Sequence, residues 1–205
     1  MLYMYAVSIL SRLVEKPSQV AWQGVKRILR YLKQTLNFSL KLSSSGTEKI
    51  MCYVDSDWAN LPDRKSVTGI VIKLGQSLVG WKARKQRLVS VSSTEAEYCA
   101  LSELCNELSF YVQLLTDMGV QCELPVLVNE DNQACITLAE TEQFKGRTKH
   151  IHIKYYHVVD NVSQGFVKLR YCQSEWNVAD IMTKPLTFLR HEEMSKKLGL
   201  DSHAM

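Results

Sequence analysis

The sequence predicts an α/β fold: a mixed sheet of about five strands, three antiparallel and then two parallel, covered by helices. Three observations carry that expectation. Between Lys49 and Trp81, short runs alternate apolar and polar residues and are separated by turn signals, the pattern of hairpin-linked antiparallel strands. From Leu101 to Leu115, apolar residues recur every three to four positions, the spacing of one buried helix face. Beyond Gly119, strand-like and helix-like runs alternate, and a strand reached from another through a helix is most often parallel to it.

Residues 1 to about 34 form two helical patterns broken at Pro17. Ser18 can cap the second, whose apolar face is Val25, Ile28, Leu29 and Leu32, with Lys26, Arg27, Arg30 and Lys33 around the other side. Residues 36–43 alternate like a strand, and Ser43 to Gly46 read as a turn. Ile50, Cys52 and Val54 alternate with Met51, Tyr53 and Asp55, and Asp57 shares a face with Asp55 if the strand continues. Asn60 to Lys65, with Pro62, reads as a turn. Ile70, Ile72 and Leu74 form a second strand, Gly75-Gln76 a hairpin turn, and Leu78 to Trp81 open a third. A long helix runs from about Thr94 to Met118. Leu124 to Asn129 is a short strand, and Asp131 sits just past it at the start of another helix. A polar loop with Lys145, Gly146, Arg147 and Lys149 precedes a helix from roughly Ile151 to Val162, then a strand around Phe166 to Tyr171. Ser174 is expected to cap a last helix carrying Trp176, Val178, Asp180 and Ile181 and stopping at Pro185, with a charged tail that frays.

Composition sets the outer limits. The 205 residues suffice for one substantial domain, and 46% hydrophobic with 22% charged residues is the balance of a globular chain, not a disordered one. A net charge of +4 permits a nucleic-acid partner without demanding one. Cysteines at 52, 99, 105, 122, 135 and 172 form no C-x-x-C pair, which excludes a zinc framework and points to free thiols in a reducing, intracellular compartment. No stretch reaches the roughly 18 apolar residues of a membrane span, and the N-terminus lacks the basic region and cleavage site of a signal peptide.

The acidic residues are where the pattern departs from plain packing. Ser92 with Glu95, or Thr94 with Glu97, fits a helix capping box. The buried face Leu101, Leu104, Leu108, Leu115 steps back onto Glu97, whereas Glu95 aligns with Cys99, Ser102 and Asn106. A carboxylate on an apolar face needs a partner or a metal, so Glu97 is singled out. Asp55 lies in a strand, where Asp is disfavoured. Asp131 could be a helix N-cap and Asp180 a solvated helix residue if each stood alone. Together, the four could converge at one end of the sheet. Ionised carboxylates so gathered require countercharge, and hard divalent cations with oxygen ligands supply it.

The motifs then resemble a known family. Tyr53-Val54-Asp55-Ser56-Asp57-Trp58-Ala59 with Asp63-Arg64-Lys65-Ser66, Ser92-Ser93-Thr94-Glu95-Ala96-Glu97-Tyr98, Asp131-Asn132-Gln133-Ala134, Arg147-Thr148-Lys149-His150-Ile151 and Ala179-Asp180-Ile181-Met182-Thr183-Lys184-Pro185 look like the ribonuclease H domain of copia-type retrotransposon polyproteins. Leu10-Ser11-Arg12 and Arg27-Ile28-Leu29-Arg30-Tyr31-Leu32-Lys33 are similar to the tail joining reverse transcriptase to that domain. The resemblance implies a ribonuclease-H-like fold, with residues 1–46 as the reverse transcriptase/connection tail, 47–187 as the nuclease domain and 188–205 as a charged C-terminal tail. It implies two Mg²⁺ ions, with Mn²⁺ able to substitute, held by Asp55, Glu97, Asp131 and Asp180. It implies hydrolysis of the RNA strand of an RNA–DNA hybrid, leaving a 3′-hydroxyl and a 5′-phosphate.

Other assignments follow from the same comparison or from charge. Ser56, Asn132 and Gln133 would bind substrate beside the acids, and Lys82, Arg84, Lys85, Arg147 and Lys149 are candidates for phosphate contacts. The implied partners are the hybrid and the reverse transcriptase portion of the same polyprotein, with no membrane, in a cytoplasmic virus-like particle or the nucleus. The loop before the last acid, Tyr171 to Glu175, lacks the histidine many cellular ribonucleases H carry there, which bears on turnover. The region before Arg147 reads Gln143-Phe144-Lys145-Gly146 where the family often has a histidine, and His152 stands where it tends to have an acid. His150 and His157 share a helix face but His152 does not, which argues against a histidine metal triad. Trp58, Trp81 and Trp176 are expected in the core rather than as base-stacking platforms. Two rival functions remain: a non-catalytic or degenerate retrotransposon fragment that only binds nucleic acid or a protein partner, and a related nuclease acting on DNA. Met1 falls inside the expected reverse transcriptase end, with no polymerase carboxylates before it, which motivates the first rival.

Overall fold

The computed structural model describes residues 3–43, 49–141 and 149–202, with backbone only for 149–152 and 202. The expected turn at Ser43 to Gly46 and the loop holding Lys145, Gly146 and Arg147 therefore lie wholly or largely outside the described residues. Two helices open the chain, α1 (Met4–Leu10) with a 3-10 turn at Ser11–Leu13, and α2 (Gln19–Gln34). Ser18 caps α2 as predicted, its hydroxyl accepting the Ala21 N–H at 3.1 Å. The expected apolar face is only partly covered. Val25, Ile28 and Leu32 are half-buried and Leu29 is exposed, while Ala21 is the buried residue. α1 packs against α2, whose Gly24 lets Leu10 approach closely, and Tyr31 of α2 meets His191 edge-on with ring centroids 5.7 Å apart.

A short strand, β1 (Phe38–Leu40), follows, then β2 (Ile50–Asp57), β3 (Val67–Leu74) and β4 (Ser77–Lys85). Gly75, at φ +57°, turns the β3–β4 hairpin. The long helix α3 (Ser93–Asp117) leads to β5 (Val126–Glu130), α4 (Gln133–Thr141), α5 (Lys149–Ser163) and β6 (Val167–Tyr171). The main sheet has the order β4-β3-β2-β5-β6, antiparallel from β2 to β4 and parallel from β2 to β6. That is the mixed five-stranded sheet the sequence predicts.

Strand alternation divides the core between the two faces. Cys52, Val54, Ile70, Ile72, Val126 and Val128 pack under α3 and α5, where Leu101, Leu104, Leu108 and Tyr155 are buried. Tyr53, Val71 and Leu78 face the other way, toward a second cluster containing Met182, Met194 and Leu198. The polar stripe expected on α3 is partly wrong. Cys99 and Ser102 are buried because α5 packs along that side.

Two expectations near the C-terminus are corrected. The single helix expected from Ser174 is a 3-10 turn (Ser174–Trp176) and a separate short helix, α6 (Asp180–Thr183). Asn177 separates them. Its amide donates to the Val54 carbonyl at 2.8 Å and accepts the Ala179 N–H at 3.1 Å, a side-chain substitute for helical bonding. The charged tail does not fray either. It forms α7 (Phe188–Lys197), capped by Thr187, and β7 (Leu200–Ser202), which pairs antiparallel with β1. Met194 and Leu198 are fully buried, while Glu192, Glu193, Lys196 and Lys197 pair along the outside. The tryptophans expected in the core are at the surface: Trp58, Trp81 and Trp176 are 46%, 40% and 58% exposed. No helix among the described residues is long and apolar enough to cross a membrane.

One buried polar side chain ties the start of α3 to the sheet. Gln86 Nε2 donates to the Ala96 carbonyl at 2.8 Å and lies 3.2 Å from Thr68 Oγ1 and 3.3 Å from Ser56 Oγ. Its Oε1 accepts from Ser90 Oγ at 3.3 Å. Gln86→Ala strands these buried groups and is expected to cost about 2–4 kcal/mol, read by urea denaturation.

Candidate active site

Four of the elements above end at one rim of the sheet. Asp55 sits near the end of β2 and, alternating with Val54, points to the α6 face. Asp180 opens α6 on that face. Glu97 comes from the first turns of α3 on the opposite face, continuous with Leu101 and Leu104. Asp131 follows β5 at the rim. Carboxylate oxygens of Asp55, Asp131 and Asp180 lie within 4.8 Å of one another. A second trio, Glu97, Glu130 and Asp131, satisfies the same limit. The two trios share Asp131 and wrap around the sheet end.

Local rules explain which acids are free to meet there. Ser92 Oγ accepts the Glu95 N–H at 3.1 Å, and Glu95 Oε2 accepts the Val91 N–H at 2.8 Å. Ser92 is thus the helix cap, with Glu95 bonding back beside it, and Glu97 is the buried acid, as the helix face predicts. Similarly, Asn132 Oδ1 accepts the Cys135 N–H at 3.0 Å and caps α4, so Asp131 is not spent as a cap. Gly69 lies opposite Asp55 in the β2–β3 register. A Cβ there would stand 2.6 Å from Thr183 Cγ2 and 2.9 Å from the Ala179 carbonyl, so only glycine lets α6 settle against the sheet beside Asp55. Gly69→Ala should lift α6, costing about 1–3 kcal/mol in a urea melt and weakening any activity that needs Asp55 beside Asp180.

Lys184 bridges two acids of the first trio. Its Nζ lies 2.9 Å from Asp55 Oδ1 and 3.0 Å from Asp180 Oδ1. Thr183 Oγ1 donates to Asp55 Oδ2, and Ser174 Oγ donates to Asp131 Oδ2 at 2.6 Å. Arg190 of α7 donates to the Ser174 carbonyl at 2.9 Å, so the C-terminal helix braces this loop. The loop carries Ser174, not histidine, against Asp131.

Crowding raises the affinity of these acids for protons. Burial, then the charge of Asp55, lifts Asp180 to about 6, with Lys184 opposing. Burial, then Glu130 and Asp55, pushes Glu97 well above the usual range. Burial also raises Glu130 against the Asn132 N–H that favours its anion, and raises Asp131 against the Ser174 hydroxyl. Burial alone would depress Lys184, but Asp55 and Asp180 carry it well above an ordinary lysine. Glu97 Oε2 and Glu130 Oε2 are buried and have no hydrogen-bond partner among the described residues. An oxygen-only donor set with bare carboxylate oxygens fits a hard divalent cation.

The other expected residues divide. Ser56 is buried beneath Gln86, Asn132 is a cap, and Gln133 is exposed beside it. Lys82 pairs with Glu107 at 2.5 Å and Lys85 with Asp63 at 2.6 Å, while Arg84 is exposed. Register places Arg84 across Thr68 from Ser56, so this basic strand end lies at the same rim as the acids, about 10 Å from β2. Arg147 and the side chain of Lys149 lie outside the described residues, as do the side chains of His150 and His152. His157 Nδ1 is 3.4 Å from Ser102 Oγ, in the helix packing. Sequence reasoning missed Glu130 and the role of Lys184. Both signals were present: Glu130 continues the Val126–Val128 alternation, and Lys184 stands four residues after Asp180, within reach on one helical turn.

No family model matches the chain. It is 33% identical over 197 residues to the retrovirus-related Pol polyprotein from transposon RE2 of Arabidopsis thaliana, covering 96% of this chain and 14% of that polyprotein. A secreted RxLR effector protein 161 of Plasmopara viticola is 44% identical over 103 residues, 50% of this chain and 72% of that one. The crystallised LC11-RNase H1 superposes with a TM-score of 0.51 at 17% identity, over 67% of this chain and 94% of that one, which supports the fold. The near-complete alignment of this chain to one segment, about 14% of the polyprotein's length, shows that it belongs to the copia-type retrotransposon Pol polyproteins, and its fold is ribonuclease H-like.

Proposed function

We propose that this chain is a divalent-metal-dependent endonuclease that hydrolyses the RNA strand of RNA–DNA hybrids, within a retroelement Pol polyprotein. The observation that carries the reading is the convergence of Asp55, Glu97, Asp131 and Asp180 on one rim of the sheet in two overlapping trios. These acids would hold two Mg²⁺ ions, or Mn²⁺, which when bound activate water and stabilise the leaving oxygen of a phosphodiester. The chain's own groups set the stage. Thr183 fixes Asp55, Ser174 fixes Asp131, and Asn177 anchors the turn before Asp180 to β2. Arg84, with Lys82 and Lys85 once they exchange acidic partners for phosphates, supplies a basic edge for the duplex backbone. Recognition of RNA would come from 2′-hydroxyl contacts across the wide minor groove. Residues 1–46 are assigned to the end of the reverse transcriptase/connection region, a partner in the same polyprotein, and 47–187 to the nuclease.

The test is cleavage of end-labelled hybrid, duplex DNA and duplex RNA with Mg²⁺ or Mn²⁺. RNA in the hybrid should be cut to 3′-hydroxyl and 5′-phosphate ends, chelator should stop it, and affinity should fall steeply with salt. Cutting of duplex DNA instead would move the chain to a DNA nuclease. One observation favours a second reading, a module that binds hybrid without cutting it: Lys184 already neutralises Asp55 and Asp180. Tight hybrid binding with no metal-dependent cleavage would establish that reading.

A further inference from the structure

We propose that Glu130 is a fifth carboxylate of this site, and that with Glu97 and Asp131 it forms a cation seat on the α3 side of the sheet, distinct from the group around Asp55 and Asp180. The inference rests on the reading above that the site takes divalent cations. Glu130 is the last residue of β5 and continues the alternation of Val126 and Val128, so its side chain turns to the face where α3 delivers Glu97. It is fully buried, at 0% exposure. Its Oε1 is fixed by the Asn132 N–H at 2.9 Å, which leaves Oε2 as the free ligand atom. That oxygen and Glu97 Oε2 are both buried without a hydrogen-bond partner among the described residues.

Size and charge both suit a hard cation. Oxygens bound 2.0–2.6 Å from one ion lie within about 4–5 Å of each other, and the Glu97, Glu130 and Asp131 oxygens lie within 4.8 Å. Lys184, whose charge reaches Glu97, gives its hydrogen bonds to Asp55 and Asp180 instead. Among the described residues, one group of acids therefore has a hydrogen-bonded countercharge and the other does not. The consequence is an order of filling. The Glu97–Glu130–Asp131 seat takes an ion before nucleic acid arrives, and the Asp55–Asp180 group takes one only as Lys184 turns away.

Mn²⁺ titration of the whole chain without nucleic acid, followed by electron paramagnetic resonance of the free ion, tests this. The unaltered chain should bind one ion more tightly than any other. Glu130→Gln and Glu97→Gln should each weaken that ion by at least about tenfold, whereas Asp180→Asn should leave it within about twofold. Thermal melts confirm that each variant folds. If Glu130→Gln does not, Glu130→Asp carries the test, since it keeps the charge but withdraws the oxygens, with the same weakening expected. Unchanged binding in the Glu130 variant overturns the proposal, because the two glutamates would then simply share a proton. Equal loss in Asp180→Asn also overturns it, since the seats would not be distinct. Tight Mn²⁺ binding without hybrid cleavage would sink the nuclease reading and leave the seat standing. Cleavage with binding indifferent to Glu130 would do the reverse.

Discussion

Asp55→Asn is expected to abolish the proposed hybrid cleavage while leaving the chain folded and able to bind the hybrid. Asp55 is fully buried and stands at the centre of the rim, bonded to Lys184 and Thr183 and grouped with Asp131 and Asp180. Replacing a group that merely supports a metal ligand costs about 10–100-fold, so neutralising the ligand itself should cost more than about 100-fold. Stability should move little. The amide still accepts the Thr183 hydroxyl, Lys184 keeps Asp180 as its partner, and one negative charge leaves a crowded group. A net change within about 1–2 kcal/mol is expected. Single-turnover cleavage alongside a urea melt measures both effects. Cleavage within tenfold of the unaltered chain would remove Asp55 from the chemistry.

Without divalent cations, the protein is expected to lose stability as pH rises from about 4 to 7, and Mg²⁺ should restore it. Asp180 titrates at about 6 when folded, and Glu97, Glu130 and Asp131 are also raised. Unfolded, these acids titrate near 4. Between the two values the folded chain holds protons that the unfolded chain has released. The stabilising contribution is complete below the unfolded pKa and disappears as pH climbs through the folded one. For Asp180 that window is about pH 4 to 6, worth on the order of 2 kcal/mol. Glu97 and Glu130 carry the decline further upward. Lys184, raised, loses its contribution only in the alkaline range and does not reverse the slope. Cations bound at the proposed site would replace the protons and remove the penalty. Urea denaturation at pH 4.5 to 7.5, with and without Mg²⁺, should give curves that diverge with pH. Parallel curves would mean that the acids are not crowded in solution.

Much of this was legible because local rules apply where the chain is locally determined. Glu97 stood out because Leu101, Leu104 and Leu108 defined a face, and the capping bonds of Ser92 and Glu95 follow the sequence spacing. Strand order followed from turns and crossovers. What stayed hidden depends on contacts between distant segments. Glu130 lay just past the strand expected to end at Asn129 and gains its meaning only where α3 brings Glu97 against it. The tail was read as frayed because its charges dominate its composition, yet Met194 and Leu198 fill the core under Val71 and Leu78. The tryptophans misled for the opposite reason. Apolar area alone favours burial, but Trp58 lies at a strand end, with its Nε1 donating to the Ser90 carbonyl while its ring stays in solvent.

The pairing of β1 with β7 has a consequence for how the chain is made. Residues 38–40 leave the ribosome well before their partners, residues 200–202. Until the latter emerge α7 cannot dock, and Val71, Leu78 and Met182 remain open on one side of an otherwise formed sheet. Contacts between distant segments form slowly, and exposed apolar surface is prone to aggregation meanwhile. The α3 face, built from residues 50–169, can close first. During synthesis, the face bearing α6 and the brace on Ser174 is completed after the α3 face, so the acidic rim would take its final form only once α7 and β7 have emerged.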